Sequence, residues 1–134
     1  MPEPILEAEA IVRTYAGANG VFAVRGASLA VRPKDFVALM GPSGSGKTTF
    51  IGVMSGLDRP DAGEVRWKGA SMGSLSHEQR RALRRTEMGV VFQSFGLLPT
   101  LSAVENVELP LRFGGTKLDE ARERAAVAHT ARTG

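Results

Sequence analysis

The sequence is poor in several residue types that mark particular classes of protein. It has no cysteine, which excludes thiol nucleophiles, disulfide frameworks and zinc ribbons. Aromatic residues make up 6%, and 17 basic against 14 acidic residues leave a formal net charge of +3, so nothing here indicates a nucleic-acid partner. No apolar run approaches the ~20 residues of a membrane span, and the N-terminal Met-Pro-Glu-Pro lacks a signal-peptide pattern. We therefore expect a soluble, cytoplasmic chain of one domain.

The first third of the chain has the pattern of strands followed by a helix. Apolar alternation on both sides of the turn residues 16–20 predicts an antiparallel β region over residues 5–32. The continuous apolar run 36–40 indicates a strand that is buried on both faces, as central strands of parallel sheets are. Residues 47–57 follow as a short helix, which completes the start of an α/β fold.

The middle of the chain repeats this alternation. Residues 64–68 alternate as a strand, 76–85 predict a basic helix, and 88–92 form a second buried-type strand that opens into a loop at Gln93. The helix carries a basic cluster, for which we expect a solvated face: Arg80, Arg81, Arg84 and Arg85.

Helix signals dominate the last part of the chain. Ser102 and Glu105 match a capping box that opens a helix, which Pro110 should interrupt. Residues 116–132 predict a last helix, whose apolar face of alanine and valine should pack weakly.

The segment between the first buried strand and its helix matches the phosphate-loop pattern G-x-x-x-x-G-K-[ST]. Glycines let the backbone wrap a phosphate closely, and the loop amides and helix N-terminus direct donors at the anion. Lys47 is expected to neutralise the β- and γ-phosphates, and the Thr48 hydroxyl to ligate Mg²⁺. The predicted nucleotide-binding residues are Gly41, Pro42, Ser43, Gly44, Ser45, Gly46, Lys47, Thr48 and Thr49.

A phosphate loop alone leaves the class of protein open. The residues 116–119, Thr-Lys-Leu-Asp, fit a guanine-reading pattern, but they follow glycines and open a helix, so an N-cap is the favoured interpretation. A small-molecule kinase would add an acid after a strand and arginines in a lid, and only the arginine cluster is present. A GTPase or a small kinase therefore stays a disfavoured alternative.

The order of the motifs resembles the N-terminal half of an ABC transporter ATP-binding subunit, most of all the branch that serves lipoprotein release and macrolide export. Tyr15, the phosphate loop, and the phrases at 55–65, 88–93 and 97–107 carry this resemblance. The expected fold class is α/β, P-loop NTPase-like: an incomplete ABC nucleotide-binding domain with an N-terminal antiparallel β subdomain and central parallel strands. Within residues 1–134 the resemblance implies four parts, namely 5–32, 36–57, 64–93 and 94–134, the last being the start of a helical subdomain.

The resemblance also implies ligands and partners. Tyr15 corresponds to the aromatic residue that stacks on adenine, and Gln93 to a glutamine that, together with Thr48, reaches Mg²⁺ beside ATP. The loop from Gln93 to Leu98, with Phe95 and Leu97, would border the groove for a transmembrane permease subunit. A second ATP-binding subunit and a peripheral location on the cytoplasmic face of the inner (plasma) membrane are implied as well.

Several motifs of the family do not occur in these 134 residues. They are an apolar strand ending in Asp-Glu, a Ser-Gly-Gly-Gln signature and a switch histidine; Asp119 and Glu120 are only a superficial match. We therefore expect a partial domain with no catalytic residue of its own, negligible hydrolysis, and open apolar sheet edges that lower stability. The alternative is a non-catalytic nucleotide-binding or inhibitory module that docks on a full-length relative.

Overall fold

The structure is a computed structural model that describes residues 1–16, 20–94 and 96–130. Part of the predicted hairpin turn (17–19), the predicted permease contact Phe95 and residues 131–134, which include the end of the predicted C-terminal helix, lie outside this range. The chain divides into two compact units, Met1–Arg81 and Ala82–Gly134.

The first unit is built on a four-stranded antiparallel sheet with the strand order β2-β1-β3-β4. β1 (Leu6–Tyr15) and β2 (Val21–Val31) form the predicted hairpin, with Leu6 opposite Val31 and Tyr15 opposite Val21. β3 (Ala62–Trp67) pairs with the other side of β1, and the short β4 (Ala70–Ser71) follows β3 at the edge. The predicted hairpin and the predicted strand near residues 64–68 are therefore confirmed.

A bulge in β1 decides which side chains face the core. The register shifts between Ala8 and Ile11, and Ala10 has a φ of 48°. The Ala10 N–H donates to Ser28 Oγ at 2.8 Å, and Gly63 lies so close that an added Cβ would be 2.4 Å from the Ala10 carbonyl oxygen. Because the bulge adds a residue to the alternation, Ala8 and Ile11 are both buried in spite of their odd spacing.

α1 (Lys47–Met54) covers the sheet by packing against β1 and β2. The core of this unit consists of Ala8, Ile11, Val24, Phe50, Val53, Met54, Val65 and Met72. The helix ends at Met54 rather than at the predicted Leu57, because Gly56 takes a positive φ of 68° and the Leu57 N–H donates back to the Gly52 carbonyl at 2.9 Å.

The two segments predicted as central parallel strands are not strands in the structure. Residues 36–40 and 88–92 have no place in the strand pairings of the described chain, and all of those pairings are antiparallel. Phe36 is 97% exposed and Val91 is 95% exposed, so the predicted burial on both faces is wrong as well. A strand needs backbone partners along its edge, and no described segment supplies them to either run.

α2 (His77–Thr86) crosses the boundary between the units and begins one residue later than predicted. Ser76 caps it: its Oγ accepts the Gln79 N–H at 3.1 Å, while the Gln79 side chain accepts the Ser76 N–H at 2.8 Å. The expectation that the whole arginine cluster is solvated is wrong for Arg80, which is only 6% exposed and donates to the Leu75 carbonyl at 2.9 Å.

The second unit contains α3 (Ala103–Phe113) and α4 (Leu118–Thr130), which pack on each other. Ser102 and Glu105 form the predicted capping box. Pro110 lies inside α3, so the prediction that it interrupts the helix is wrong; the helix continues to Phe113, and the Pro110 carbonyl still accepts the Gly114 N–H at 3.0 Å.

The alanine face of α4 is its packing face. Ala121 and Ala125 are one turn apart and fully buried. Small side chains allow the two helices to approach closely, which gives the alanines a packing role that their small apolar surface did not predict. Among the described residues, no helix has the length and apolar character that crossing a membrane requires.

Candidate nucleotide site

The phosphate loop ends at a helix N-terminus that no side chain caps. The N-cap residue of α1 is Gly46, with a φ of 89°, and the first turn of the helix contains no acidic residue. A Cβ on Gly46 would lie 1.9 Å from the Ala23 carbonyl oxygen, so only glycine lets the loop approach β2 this closely. The N–H groups of the first turn therefore keep their capacity to bind an anion.

The ammonium group of Lys47 folds back across the loop. Lys47 Nζ donates to the carbonyl oxygens of Gly41 and Pro42 at 2.7 Å each, and it lies 3.2 Å from Ser45 Oγ. These contacts hold a positive charge against the loop that leads into the uncapped helix end. The charge and the free N–H groups converge on one volume, which is the donor set that a polyphosphate requires.

This volume is a cavity of about 650 Å³. One wall is the phosphate loop and the other is β2, where Phe22 and Arg25 contribute their side chains. Arg25 lies over the Phe22 ring at 5.4 Å from the centroid. Six predicted residues line the cavity, namely Gly41, Pro42, Gly44, Ser45, Gly46 and Lys47.

The other predicted residues do not line it. Ser43 and Thr48 are exposed, and Thr49 is half-buried on the first turn of α1. Gln93 is exposed in a turn of the second unit. No group of three or more histidine or acidic side chains that could hold a metal ion occurs in the described parts of the chain.

Tyr15 stands at the end of β1 with 44% of its surface exposed. Its hydroxyl donates to Asp58 Oδ2 at 3.1 Å, and the Arg13 guanidinium lies over its ring at 4.9 Å from the centroid. Arg13 also forms ion pairs of 2.9 Å with Asp58 and with Asp61. Nothing in the sequence marks Arg13, Asp58 and Asp61 as a group, because their proximity arises only when β1 lies beside the loop after α1.

Asp58 and Arg13 each stabilise the charged form of the other. Partial burial alone would raise the pKa of Asp58, but hydrogen bonds from the Arg59 N–H, Arg13 and Tyr15 outweigh it, so the pKa lies below its ordinary value. The hydrogen bond to Asp58 in turn raises the pKa of Arg13 above that of a free guanidinium. Both groups are therefore charged at neutral pH, and Asp58 is a constant acceptor for the Tyr15 hydroxyl.

In the second unit, Asn106 organises the loop that precedes α3. Its Oδ1 accepts the Leu98 N–H at 2.8 Å, and its Nδ2 donates to the carbonyl oxygens of Leu98 and Leu101, both at 3.1 Å. Leu97 and Leu98 remain exposed on this loop. An asparagine inside a helix gives no signal of this role in a single sequence.

These features are those of a nucleotide-binding protein with a phosphate loop: an uncapped helix end, Lys47 at that end and a sheet beside them. Comparison with known proteins narrows this class. The family model described as "ABC transporter" matches residues 24–133, and the chain therefore belongs to the ABC transporter family. This confirms the family to which the motifs pointed.

Individual relatives agree with that assignment. The macrolide export ATP-binding/permease protein MacB of Syntrophobacter fumaroxidans is 48% identical over 129 residues, which cover 94% of this chain and 18% of that protein. The lipoprotein-releasing system ATP-binding protein LolD of Maricaulis maris is 44% identical over 126 residues, covering 93% of this chain and 55% of that protein. Both belong to the branch that the sequence phrases predicted.

A solved structure shows the same fold. The ATP-binding cassette MJ0796, in a dimeric post-hydrolysis state bound to ADP and Pi, has a TM-score of 0.83 and 37% identity; the match covers 90% of this chain and 54% of that one. The predicted fold class, a partial ABC nucleotide-binding domain with an antiparallel β subdomain, is thereby confirmed, although the two predicted parallel strands are not formed here. The chain spans about half the length of LolD and about a fifth of MacB.

Proposed function

We propose that this chain binds Mg-ATP at its phosphate loop, as the N-terminal part of an ABC ATP-binding subunit that energises export or lipoprotein release through a membrane permease. The observation that carries the proposal is the uncapped N-terminus of α1 together with the Lys47 ammonium, which is held against the phosphate loop. A buried phosphate would replace the carbonyl oxygens that now hold Lys47, and the loop amides would supply the remaining donors.

The residues of the site fit the groups of Mg-ATP. The backbone of the loop from Gly41 to Gly46 and the Lys47 ammonium would hold the phosphates, and the exposed Thr48 hydroxyl would take a position in the Mg²⁺ shell. Tyr15 would stack on the base, since an exposed ring contributes about 1–3 kcal/mol per stacked base without reading its edges. Gln93 would join the Mg²⁺ shell or hold the attacking water through its amide.

We propose that the chain alone binds nucleotide without turning it over. Hydrolysis needs a group that accepts a proton from water, and in this family an Asp-Glu pair at the end of a strand is expected to supply it. The Asp-Glu pair Asp119 and Glu120 lies in the first turn of α4 instead. The four parts predicted from the sequence, 5–32, 36–57, 64–93 and 94–134, remain our proposed organisation of the domain.

The proposed partners are a transmembrane permease subunit and a second ATP-binding subunit, on the cytoplasmic face of the inner membrane. The exposed Leu97 and Leu98 beside Gln93 support a contact between this loop and a helix of the permease. The relatives' names point the same way, since MacB is an ATP-binding/permease protein and LolD belongs to a lipoprotein-releasing system.

Calorimetric titration of the purified chain with Mg-ATP tests the proposal. We expect saturable binding that Lys47→Ala abolishes, because the substitution removes the positive charge that is held against the phosphate loop. Lys117→Ala is the matched control: it removes the same charge from an exposed position in the second unit and should leave binding unchanged. Equal binding by the wild type and Lys47→Ala would overturn the proposed site.

A further inference from the structure

The residue Asp58 connects two parts of the first unit that a nucleotide would contact separately. Its backbone is hydrogen-bonded to the last turns of α1: the Asp58 N–H donates to the Gly52 carbonyl at 3.1 Å, beside the bond from the Leu57 N–H to the same oxygen at 2.9 Å. Gly52 lies in the helix whose first residue is Lys47. A displacement of α1 therefore moves Asp58 with it.

The carboxylate of Asp58 is attached to the other part, at the end of β1. Its Oδ2 accepts from Arg13 Nε at 2.9 Å and from the Tyr15 hydroxyl at 3.1 Å. Its Oδ1 accepts the Arg59 N–H at 2.8 Å, which fixes the plane of the carboxylate. Both oxygens are thus used, and the phenol is held by an acceptor that cannot rotate away without breaking other bonds.

Arg13 completes the support of the ring. Its guanidinium covers one face of Tyr15 and is kept there by Asp61, whose Oδ1 accepts from Nη1 at 2.9 Å. Asp61 is itself fixed to β1, because its Oδ2 accepts the Thr14 N–H at 2.6 Å. The guanidinium thus occupies one ring face, and the exposed remainder of Tyr15 is where a flat ligand can stack.

We propose that Asp58 is a positioning residue that holds Tyr15 in orientation for a nucleobase and ties that orientation to the phosphate-loop helix. The inference rests on the proposed function, because it takes Mg-ATP as the ligand. A base would stack on the face opposite Arg13, giving a sandwich of guanidinium, phenol and base. Because the ring is already oriented, stacking does not have to restrict its rotamers first.

The test separates base from phosphate by comparing ATP with inorganic tripolyphosphate, which has no base. Tyr15→Ala should weaken ATP binding about 5- to 150-fold, the range that stacking supplies. Asp58→Ala should weaken it about 2- to 10-fold, as expected for the loss of a hydrogen bond that orients the ring. Neither variant should change the Kd of tripolyphosphate by more than about twofold, whereas Lys47→Ala should weaken both ligands.

Two further measurements keep the test decisive. Tyr15→Phe retains the ring and the carboxylate and removes only the hydroxyl, so it should reproduce the selective loss for ATP even if Asp58→Ala folds poorly. Tyr15 is the single tyrosine, so in a Trp67→Phe background its fluorescence reports stacking directly. ATP should quench it, and tripolyphosphate should not.

The outcomes distinguish this inference from the proposed function. If Asp58→Ala weakens ATP and tripolyphosphate equally, or if Tyr15→Phe binds ATP as the wild type does, Asp58 does not position the ring and the inference is overturned while the nucleotide site stands. If the wild type binds neither ligand, or if Lys47→Ala binds both normally, the proposed function itself is wrong.

Discussion

The antiparallel sheet of the first unit and the two segments 36–40 and 88–92 lie in opposite environments, although the segments are the more uniformly apolar of the two. Ile11 in the sheet has no exposed surface, while Phe36 is almost fully exposed. The sheet strands find partners through a hairpin and through β3, which returns to the free edge of β1. Residues 36–40 and 88–92 have no pairing within the described chain, and Phe36, Met40 and Val91 are almost fully exposed.

Local connection explains this difference. An antiparallel pair needs only a turn between its strands, whereas a parallel strand depends on neighbours that arrive from distant parts of the sequence. The sheet unit can therefore form around the phosphate loop without ordered parallel strands. Stability should depend on the sheet, and little on the two apolar segments.

The largest expected difference in stability is between two variants, one with a truncated side chain in the sheet and one with a truncated side chain in residues 36–40. Ile11→Ala should lower the free energy of unfolding by about 2–5 kcal/mol, because it leaves a cavity in the core between β1 and α1. Phe36→Ala removes a larger side chain but should change the free energy of unfolding by less than about 0.5 kcal/mol, because the Phe36 side chain is already in water. Denaturant melts followed by circular dichroism measure both, and equal losses would show that residues 36–40 are packed.

In the second unit, enlarging a buried alanine should have the next largest effect. Ala121→Leu forces a larger side chain between α3 and α4 and should destabilise the unit by about 1–3 kcal/mol. Ala128→Leu places the same side chain on an exposed position of α4 and serves as the matched control. Thermal melts of both variants test whether the alanine face is the packing face; a loss for Ala128→Leu as large as for Ala121→Leu would contradict it.

A smaller effect is expected at the start of α3. Ser102→Ala removes the oxygen that accepts the Glu105 N–H and should cost about 1 kcal/mol. The Ser102 N–H, which this substitution keeps, is the main cause of the lowered Glu105 pKa, and the Ser102 side chain lowers it further, so the pKa should rise only part of the way towards its ordinary value. NMR titration of the Glu105 carboxylate in both proteins checks this shift, and an unchanged pKa would exclude the capping interaction in solution.

The smallest effect concerns the charges around Tyr15. Because the pKa of Asp58 is lowered in the folded chain, its contribution to stability is complete above the ordinary carboxyl pKa of about 3.9 and is lost as the pH falls through the lower folded value. Asp58→Asn cannot titrate, so its stability should decline less than that of the wild type below about pH 4. Melts of both proteins from pH 7 to pH 3 test this. If the stability of the wild type and of Asp58→Asn fell in parallel, the lowered pKa of Asp58 would be contradicted.

Sequence reasoning reached the features that local chemistry determines. The hairpin, the capping box at Ser102 and the start of α1 at Lys47 each depend on a few adjacent residues, and all three lie where they were predicted. The burial of Arg80 and the network around Asp58 were beyond reach, because they depend on which elements become neighbours. The predictions for the apolar runs at 36–40 and 88–92 were wrong for the same reason. Hydrophobicity indicates that burial would be favourable, but it does not show which strand would pair with the run.

We expect the phosphate loop of the first unit to bind Mg-ATP while residues 36–40 and 88–92 remain exposed to solvent. Hydrogen exchange of the chain with and without Mg-ATP, read by mass spectrometry, tests it most directly. We predict slow exchange in β1 and β3, fast exchange in 36–40 and 88–92, and new protection across residues 41–50 on adding Mg-ATP that Lys47→Ala does not show. Unchanged exchange in 41–50 at saturating Mg-ATP, or slow exchange in 36–40 without it, would contradict the account.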